Sequence, residues 1–231
     1  MSKQLTYKIE TLQLLNQLSS ISSKLIIKKK DDKIIINRKN DSEQIAFNFE
    51  APIEDFCFDD EEIAFLDFPE FYQLISVFKN PDIAQNENKM VISKEKSKIK
   101  YILCDTEALN ESPKPLKNID YDCTFELKQD EIKNISKMIG LINSDNTNLN
   151  FSDGKLMITF MNETHENTYE KEFESVSSNG DEFDFIIPSE IFTILPSGDY
   201  DAMISKEGLF VLKLKNDRIS LKIITSELED R

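Results

Sequence analysis

The 231 residues carry 28 basic and 43 acidic side chains, a net charge of −15, with 39% hydrophobic and 10% aromatic residues; this excludes disorder, because a disordered chain lacks the apolar surface to offset its ordering entropy. No apolar run approaches the ~20 residues that cross a bilayer, and MSKQLTYKIE has no signal-peptide core, so a cytoplasmic protein with no membrane partner is expected. Cys57, Cys104 and Cys123 are odd in number, far apart and outside any CxxC pair, which argues against a disulfide framework and a zinc site.

In chain order, Leu12, Leu15, Leu18 and Ile21 recur at three-residue steps and predict an amphipathic helix. Hairpin strands are expected near 24–30 and 33–38. A strand through Ile63 and Phe65 then runs into a second helix carrying Phe71, Leu74 and Ile75; Pro69 stands at its start, where a missing N–H costs little. Alternation in Met90, Val91 and Ile92, and again in Ile99, Tyr101 and Leu103, marks a closing hairpin. Asn88 supplies a residue type that tolerates the left-handed backbone of a tight turn. Residues 105–118 contain Pro113 and Pro115 without apolar periodicity and read as an extended connector.

Beyond the connector the pattern starts again at a constant displacement of 120 residues. Ile132, Ile135, Met138 and Leu141 repeat the first stripe, and Phe183, Phe185 and Ile186 repeat the strand before the second helix. Glu190, Ile191, Phe192, Ile194 and Leu195 repeat that helix. Phe210, Val211 and Leu212, then Ile219, Leu221 and Ile223, repeat the hairpin, with Gly208 in place of Asn88. The fold class is therefore α+β, one unit used twice, with domains at 1–118 (including the connector) and 119–231.

Basic and acidic side chains number 17 and 20 in 1–118 but 11 and 23 in 119–231. The windows 11–30, 71–81, 132–144 and 191–198, which hold the expected helices, contain no Asp or Glu where even spacing would place about ten. They do contain Lys24, Lys28, Lys29, Lys30, Lys79, Lys133 and Lys137. Two accounts stay open. Acids such as Glu10, Asp67, Asp130 and Glu190 sit at helix N-termini to suit the dipole and leave neutral helix bodies, or an acid-free helical surface beneath an acidic exterior lines a channel for duplex DNA. None of the three arginines lies in a helix body, so any DNA contact would be directed at phosphate and independent of sequence.

Catalytic signals are weak. His165 is the single histidine and lies in the polar stretch NETHENTY, so no histidine-based triad or multi-histidine metal site can be assembled. Asp59, Asp60, Glu61 and Glu62 offer carboxylates to a cation, but an adjacent run ordinarily marks an exposed turn. The five glycines form neither GxGxxG nor GxxxxGK[ST]. An enzyme is not expected, and neither a cofactor nor a bound metal.

The segments TLQLLNQLSSISSKLIIKKKDDKIII, IAFLDFPEFYQLISVF, PKPL and DEIKNISKMIGLINSDNTNLNFSDGKLMITF, in that order and with the internal repeat, resemble the sliding clamps over nearly the whole chain. They are most similar to the polymerase processivity factors of T-even-type bacteriophages. The resemblance implies a DNA clamp fold with helices lining a hole and sheets outside, and a homotrimer closing a six-domain ring. Strand 98–104 of one subunit would pair with strand 168–174 of the next. Implied partners are duplex DNA, a C-terminal peptide of the replicative DNA polymerase docked in an apolar pocket, and an ATP-dependent clamp loader; the location would be a host cytoplasm. Lys24, Lys79, Lys133 and Lys137, with Lys28 next, would meet phosphates. Leu109, Pro113 and Leu116 would border the peptide pocket or simply pack. Gln13, Asn16, Gln17 and Ser20 depart from the pattern, since clamps often place lysine at such exposed helical positions. The rival readings are an acidic clamp-fold scaffold or inhibitor that binds proteins and not DNA, and a metal-dependent hydrolase built on Asp59 and Asp60.

Overall fold

A computed structural model describes residues 3–109, 119–162, 164–165, 167–173 and 176–228. The chain separates into two compact units: Met1–Asp41, Asn48–Lys114 and Arg218–Ser220 form the first, and Ser42–Phe47, Pro115–Asp217 and Leu221–Arg231 the second.

The elements of the first half are β1 (Lys3–Gln4), α1 (Ile9–Leu18), β2 (Leu25–Lys30), β3 (Lys33–Lys39), β4 (Ile45–Pro52), a 3-10 turn at Ile53–Asp55, β5 (Glu62–Phe65), α2 (Phe68–Ser76), β6 (Asp82–Asn86), β7 (Lys89–Lys94), β8 (Ser97–Ile102) and a 3-10 turn at Thr106–Ala108. The second half has β9 (Cys123–Leu127), α3 (Gln129–Ile142), β10 (Asn146–Ser152), β11 (Lys155–Met161), β12 (Thr168–Phe173), β13 (Ser177–Ser178), β14 (Phe183–Pro188), a 3-10 turn at Ser189–Phe192, β15 (Tyr200–Ser205), β16 (Leu209–Leu214) and β17 (Ser220–Ser226). The architecture is α+β, as the alternation of the two periodicities predicts. Strand orders β1-β6-β7-β8 and β5-β2-β3-β4 in the first half recur as β9-β15-β16-β17 and β14-β10-β11-β12 in the second, with β13 added beside β9. The displacement seen in the sequence is thus a repeated topology.

Each strand of the repeat is half-buried, and β4 shows why: Ile45, Phe47, Phe49 and Ala51 are buried while the residues between them are half-exposed, the alternation a pleated strand imposes. The first unit's core is aromatic. Phe65 lies 4.7 Å from Phe71 and edge-on to Phe68 at 5.2 Å, and Tyr101 reaches Phe71 at 5.3 Å; such rings combine large apolar burial with preferred tilted contacts. α2 enters this core because Asp67 caps it, accepting a hydrogen bond from Glu70 N–H at 2.9 Å, with proline in the first turn. In the second unit Phe192 packs edge-on to Phe160 at 5.4 Å and against Phe210 at 5.7 Å. Glu131 accepts from Lys128 N–H at 3.1 Å to start α3, and Asn143 ends it in left-handed backbone at φ 50.

Three sequence expectations are corrected. The expected helix after Pro188 is only a 3-10 turn, because Pro196 has no N–H and disfavours helical backbone at Leu195, whereas the corresponding stretch of the first half has no proline between Pro69, in the first turn, and Pro81. On α3 the buried positions are Ile132, Ile135 and Ile139, while Leu141 is 66% exposed; three-residue steps fall short of the 3.6-residue turn, so the fourth has rotated off the core face. In the two-residue turn between β6 and β7, Glu87 takes the left-handed conformation at φ 51, and Asn88 is not among the positive-φ residues.

Candidate nucleic-acid interface

Beyond an exposed acid in each first turn (Glu10, Glu70 and Asp130), the outward faces of the helices are neutral or basic within each unit. α1 buries Thr11, Leu12, Leu15 and Leu18, exposes Gln13 and Gln17 and half-exposes Asn16, and has no charged side chain after Glu10. Lys24 is exposed just before β2, and its carbonyl accepts from Arg38 Nε at 2.9 Å. α2 exposes Gln73 and Ser76, followed by exposed Val77 and Lys79. On α3, Lys133 and Lys137 are exposed one turn apart and therefore share a face. Lys133 reaches Asp130 at 3.4 Å, but both side chains are well over half exposed, and an ion pair in water is easily exchanged for a phosphate.

Lys28 is on a strand, not a helix. It lies on β2 and pairs with Glu62 at 3.0 Å, whose carboxyl is held below the ordinary glutamate range by the Thr106 hydroxyl and by Lys28. Beside it, Lys29 donates to the Asp59 carbonyl at 3.1 Å and lies 4.6 Å from the centre of the Phe58 ring. Gln85 donates to Asp60. The basic run 28–30 and the acidic run 59–62 thus answer one another across β2 and β5. Among the described residues no group of three or more His, Cys, Asp or Glu side chains is disposed to hold a metal, and His165 is exposed in a turn.

Leu109 is 8% exposed and packs with Ile26 and Ala64, with Cys104 against them; Pro113 and Leu116 lie outside the described residues. The second unit has a cleft of about 430 Å³ lined by Gln44, Ile139, Ser144, Glu190 and Leu228 among others. Ser144 is no nucleophile there. Its hydroxyl meets the Asn146 and Met161 carbonyls at 3.0 Å each and Ser189 Oγ at 2.8 Å, none of them a base that would activate it.

One feature escaped the sequence. Asp55 is fully buried and gathers Thr11 Oγ1 at 2.8 Å, Lys8 Nζ at 3.1 Å and the Arg218 guanidinium, all inside the first unit. No sequence period marks it, because Arg218 is 163 positions away. The strands that the resemblance pairs between subunits, 98–104 and 168–174, fall at β8 and β12. Among the described residues β8 is the last strand of its sheet and β12 the first of its own, so each presents a backbone edge with no neighbour there. Strand composition could have exposed their opposite charge, KIKYI against YEKEF.

The whole arrangement has counterparts among solved structures. An A. fulgidus PCNA bound to the C-terminal region of FEN-1 superposes with a TM-score of 0.77 over 100% of both chains at 13% identity. The Entamoeba histolytica proliferating cellular nuclear antigen gives 0.76 and the Thermococcus kodakaraensis PCNA 0.77, each at 12% identity over 99% of this chain and 100% of the other. The chain has the sliding-clamp fold. No family model matches the sequence, and no curated protein does; the clamp fold is visible in backbone geometry at an identity where side chains have been almost wholly replaced.

Proposed function

We propose that this protein is a sliding clamp: a non-enzymatic homotrimer that encloses duplex DNA without reading its sequence and tethers a replicative polymerase to it. The observation that carries the reading is the repeated sheet order. Within the second unit the start of β4 lies beside β17, and Thr225 Oγ1 donates to the Gln44 carbonyl at 2.9 Å. By the repeat, β17 corresponds to β8 and β4 to β12. The chain therefore already joins one strand of the β8 kind to one of the β12 kind, while β8 and β12 themselves remain outer strands. Repeating that join between copies gives a head-to-tail contact, and a head-to-tail contact generates a closed ring when its rotation closes. Three two-unit subunits are the number the sequence resemblance implies, and the T-even phage type is the variety of clamp we assign on the segments quoted above.

In this reading Lys133 and Lys137 on α3, with Lys24 and Lys79, supply phosphate contacts, and Lys28, whose side chain is 52% exposed in its pair with Glu62, comes next. The A. fulgidus protein bound to a FEN-1 C-terminal region supports docking of partner C-terminal peptides, and a polymerase peptide is assigned the vicinity of Leu109, Pro113 and Leu116. An ATP-dependent loader opens the ring in a host cytoplasm. The neutral α1 face at Gln13, Asn16 and Gln17 favours a second reading, an acidic scaffold with the same fold that holds proteins and not DNA. Light scattering and DNA retention separate them. The clamp gives three times 26.8 kDa, about 80 kDa, and stays on nicked circular DNA but runs off after linearisation. A single-chain mass, or equal loss from both templates, overturns it.

A further inference from the structure

The two outer strands carry opposite charge on the same kind of face. The hairpin segment 89–102 contains five lysines and one acid in a chain whose net charge is −15. On β8, Lys98, Lys100 and Ile102 point to one face and are exposed, whereas Tyr101 turns inward to the Phe65 and Phe71 rings below. On β12, Thr168, Glu170 and Glu172 are exposed on one face, whereas Lys171 turns towards α3 to pair with Glu131 at 2.7 Å, and Phe173 is buried. Both rows thus lie opposite the helix-packed side. Among the described residues none forms an ion pair with Lys98, Lys100 or Glu170, while Glu172 shares Lys155 at 2.9 Å. Ile102, 61% exposed, adds an apolar side chain to the basic row.

The internal join is differently made. Exposed charge is scarce along β4 and β17: each carries one charged side chain, Glu50 and Lys222, neither of them fully exposed, and Glu50 is already paired with Lys33 at 2.7 Å. β4 and β17 thus carry little charge, whereas β8 and β12 carry charge of opposite sign.

Resting on the ring reading above, we propose that β8 of one copy and the β12 edge of a second copy are keyed by charge: Lys98 and Lys100 lie alongside Glu170 and Glu172, and this makes ring closure, unlike the internal join, sensitive to ionic strength. Side chains on one face of adjacent strands come within about 5 Å, where opposite signs attract and like signs repel. These pairs remain near solvent, so salt screens them; the screening length falls from roughly 10 Å at 0.1 M to about 3 Å at 1 M. Charge of this kind also disfavours wrong pairings. Two β8 edges, or two β12 edges, would place like charges against one another.

The test is the trimer dissociation constant by light scattering against salt, on full-length protein. Raising sodium chloride from about 0.1 M to about 1 M is expected to weaken assembly roughly tenfold. Lys98→Glu with Lys100→Glu should weaken it at least as much at low salt, and adding Glu170→Lys with Glu172→Lys should restore it, since the four changes exchange the signs. Unchanged circular dichroism of the exposed-residue variants serves as the folding control. Trimers that ignore both salt and the double reversal, or a fourfold variant no better than the double, overturn the charge key and leave the ring intact. A single-chain mass at every salt overturns the ring and the key with it.

Discussion

Replacing Asp55 tests whether one buried carboxylate holds α1 in place. Its side chain is fully buried, as is that of Thr11, which donates to it at 2.8 Å. The cations Lys8 and Arg218 are 38% and 49% exposed. Asp55→Ala strands the Thr11 hydroxyl, a loss of about 1–3 kcal/mol. Lys8 and Arg218 can turn to water, so each contributes only about 0.2–1 kcal/mol. The sum is roughly 1.5–5 kcal/mol. Asp55→Asn keeps an acceptor for Thr11 and gives up the charge, so it should cost about half as much. Urea denaturation followed by circular dichroism, with hydrogen exchange on 9–18 to report α1 alone, measures both. If Asp55→Ala costs less than about 0.5 kcal/mol, or if the Asn and Ala variants cost the same, the carboxylate is not the anchor assigned to it.

The remaining predictions concern the DNA face, the acid response and the thiols. Lys133→Ala with Lys137→Ala should leave mass and stability unchanged within about 0.5 kcal/mol, yet flatten the salt dependence of DNA association by up to roughly 0.9 in slope for each phosphate no longer neutralised; an unaltered slope removes these residues from the interface. Asp122 is held below the usual carboxyl range by the Lys206 backbone N–H first, then by the Asn179 side chain and the Lys206 charge. A depressed folded value means its stabilisation is complete above the unfolded value of about 3.9 and is lost as pH falls through the lower folded one. Asp122→Asn should therefore be less stable at neutral pH and less sensitive to acid, as urea midpoints across pH 2–7 would show. Burial pushes the Cys123 thiol up to about 12, so in the native protein iodoacetamide should modify the half-buried Cys57 and Cys104 and spare Cys123, with mass spectrometry locating the adducts.

The fold was legible where a local rule and the tertiary environment agreed. Strands such as Ile45–Pro52 alternate because one face meets a core, and the same alternation 120 residues later required the same core. The rule failed where the environment alone decided. The stretch at 191–198 is apolar enough for a helix, but Pro196 ends it and Tyr200 takes the Pro196 carbonyl with its hydroxyl at 2.8 Å. Leu141 fits a three-residue stripe and points to solvent because α3 turns every 3.6 residues.

The placement of the candidate lysines was legible on helices and not on strands, for a reason that separates two kinds of charge. That Lys133 and Lys137 share an exposed face could be read because a helix face is a local object: four residues of spacing suffice to place both on it. Lys28 lies in the same acid-free windows and was assigned with them, but a lysine on a strand is answered by the neighbouring strand, and its neighbour Glu62 is 34 positions on. The edge strands follow from the resemblance, but their opposite charge was missed for the opposite reason. Lys98, Lys100 and Glu170 have no ion-pair partner among the described residues, so their composition looks like ordinary surface until topology shows that β8 and β12 end their sheets. An unpaired backbone edge bearing unpaired charge of one sign is costly for a chain to leave unprotected, and two such edges of opposite sign are best explained as halves of one contact.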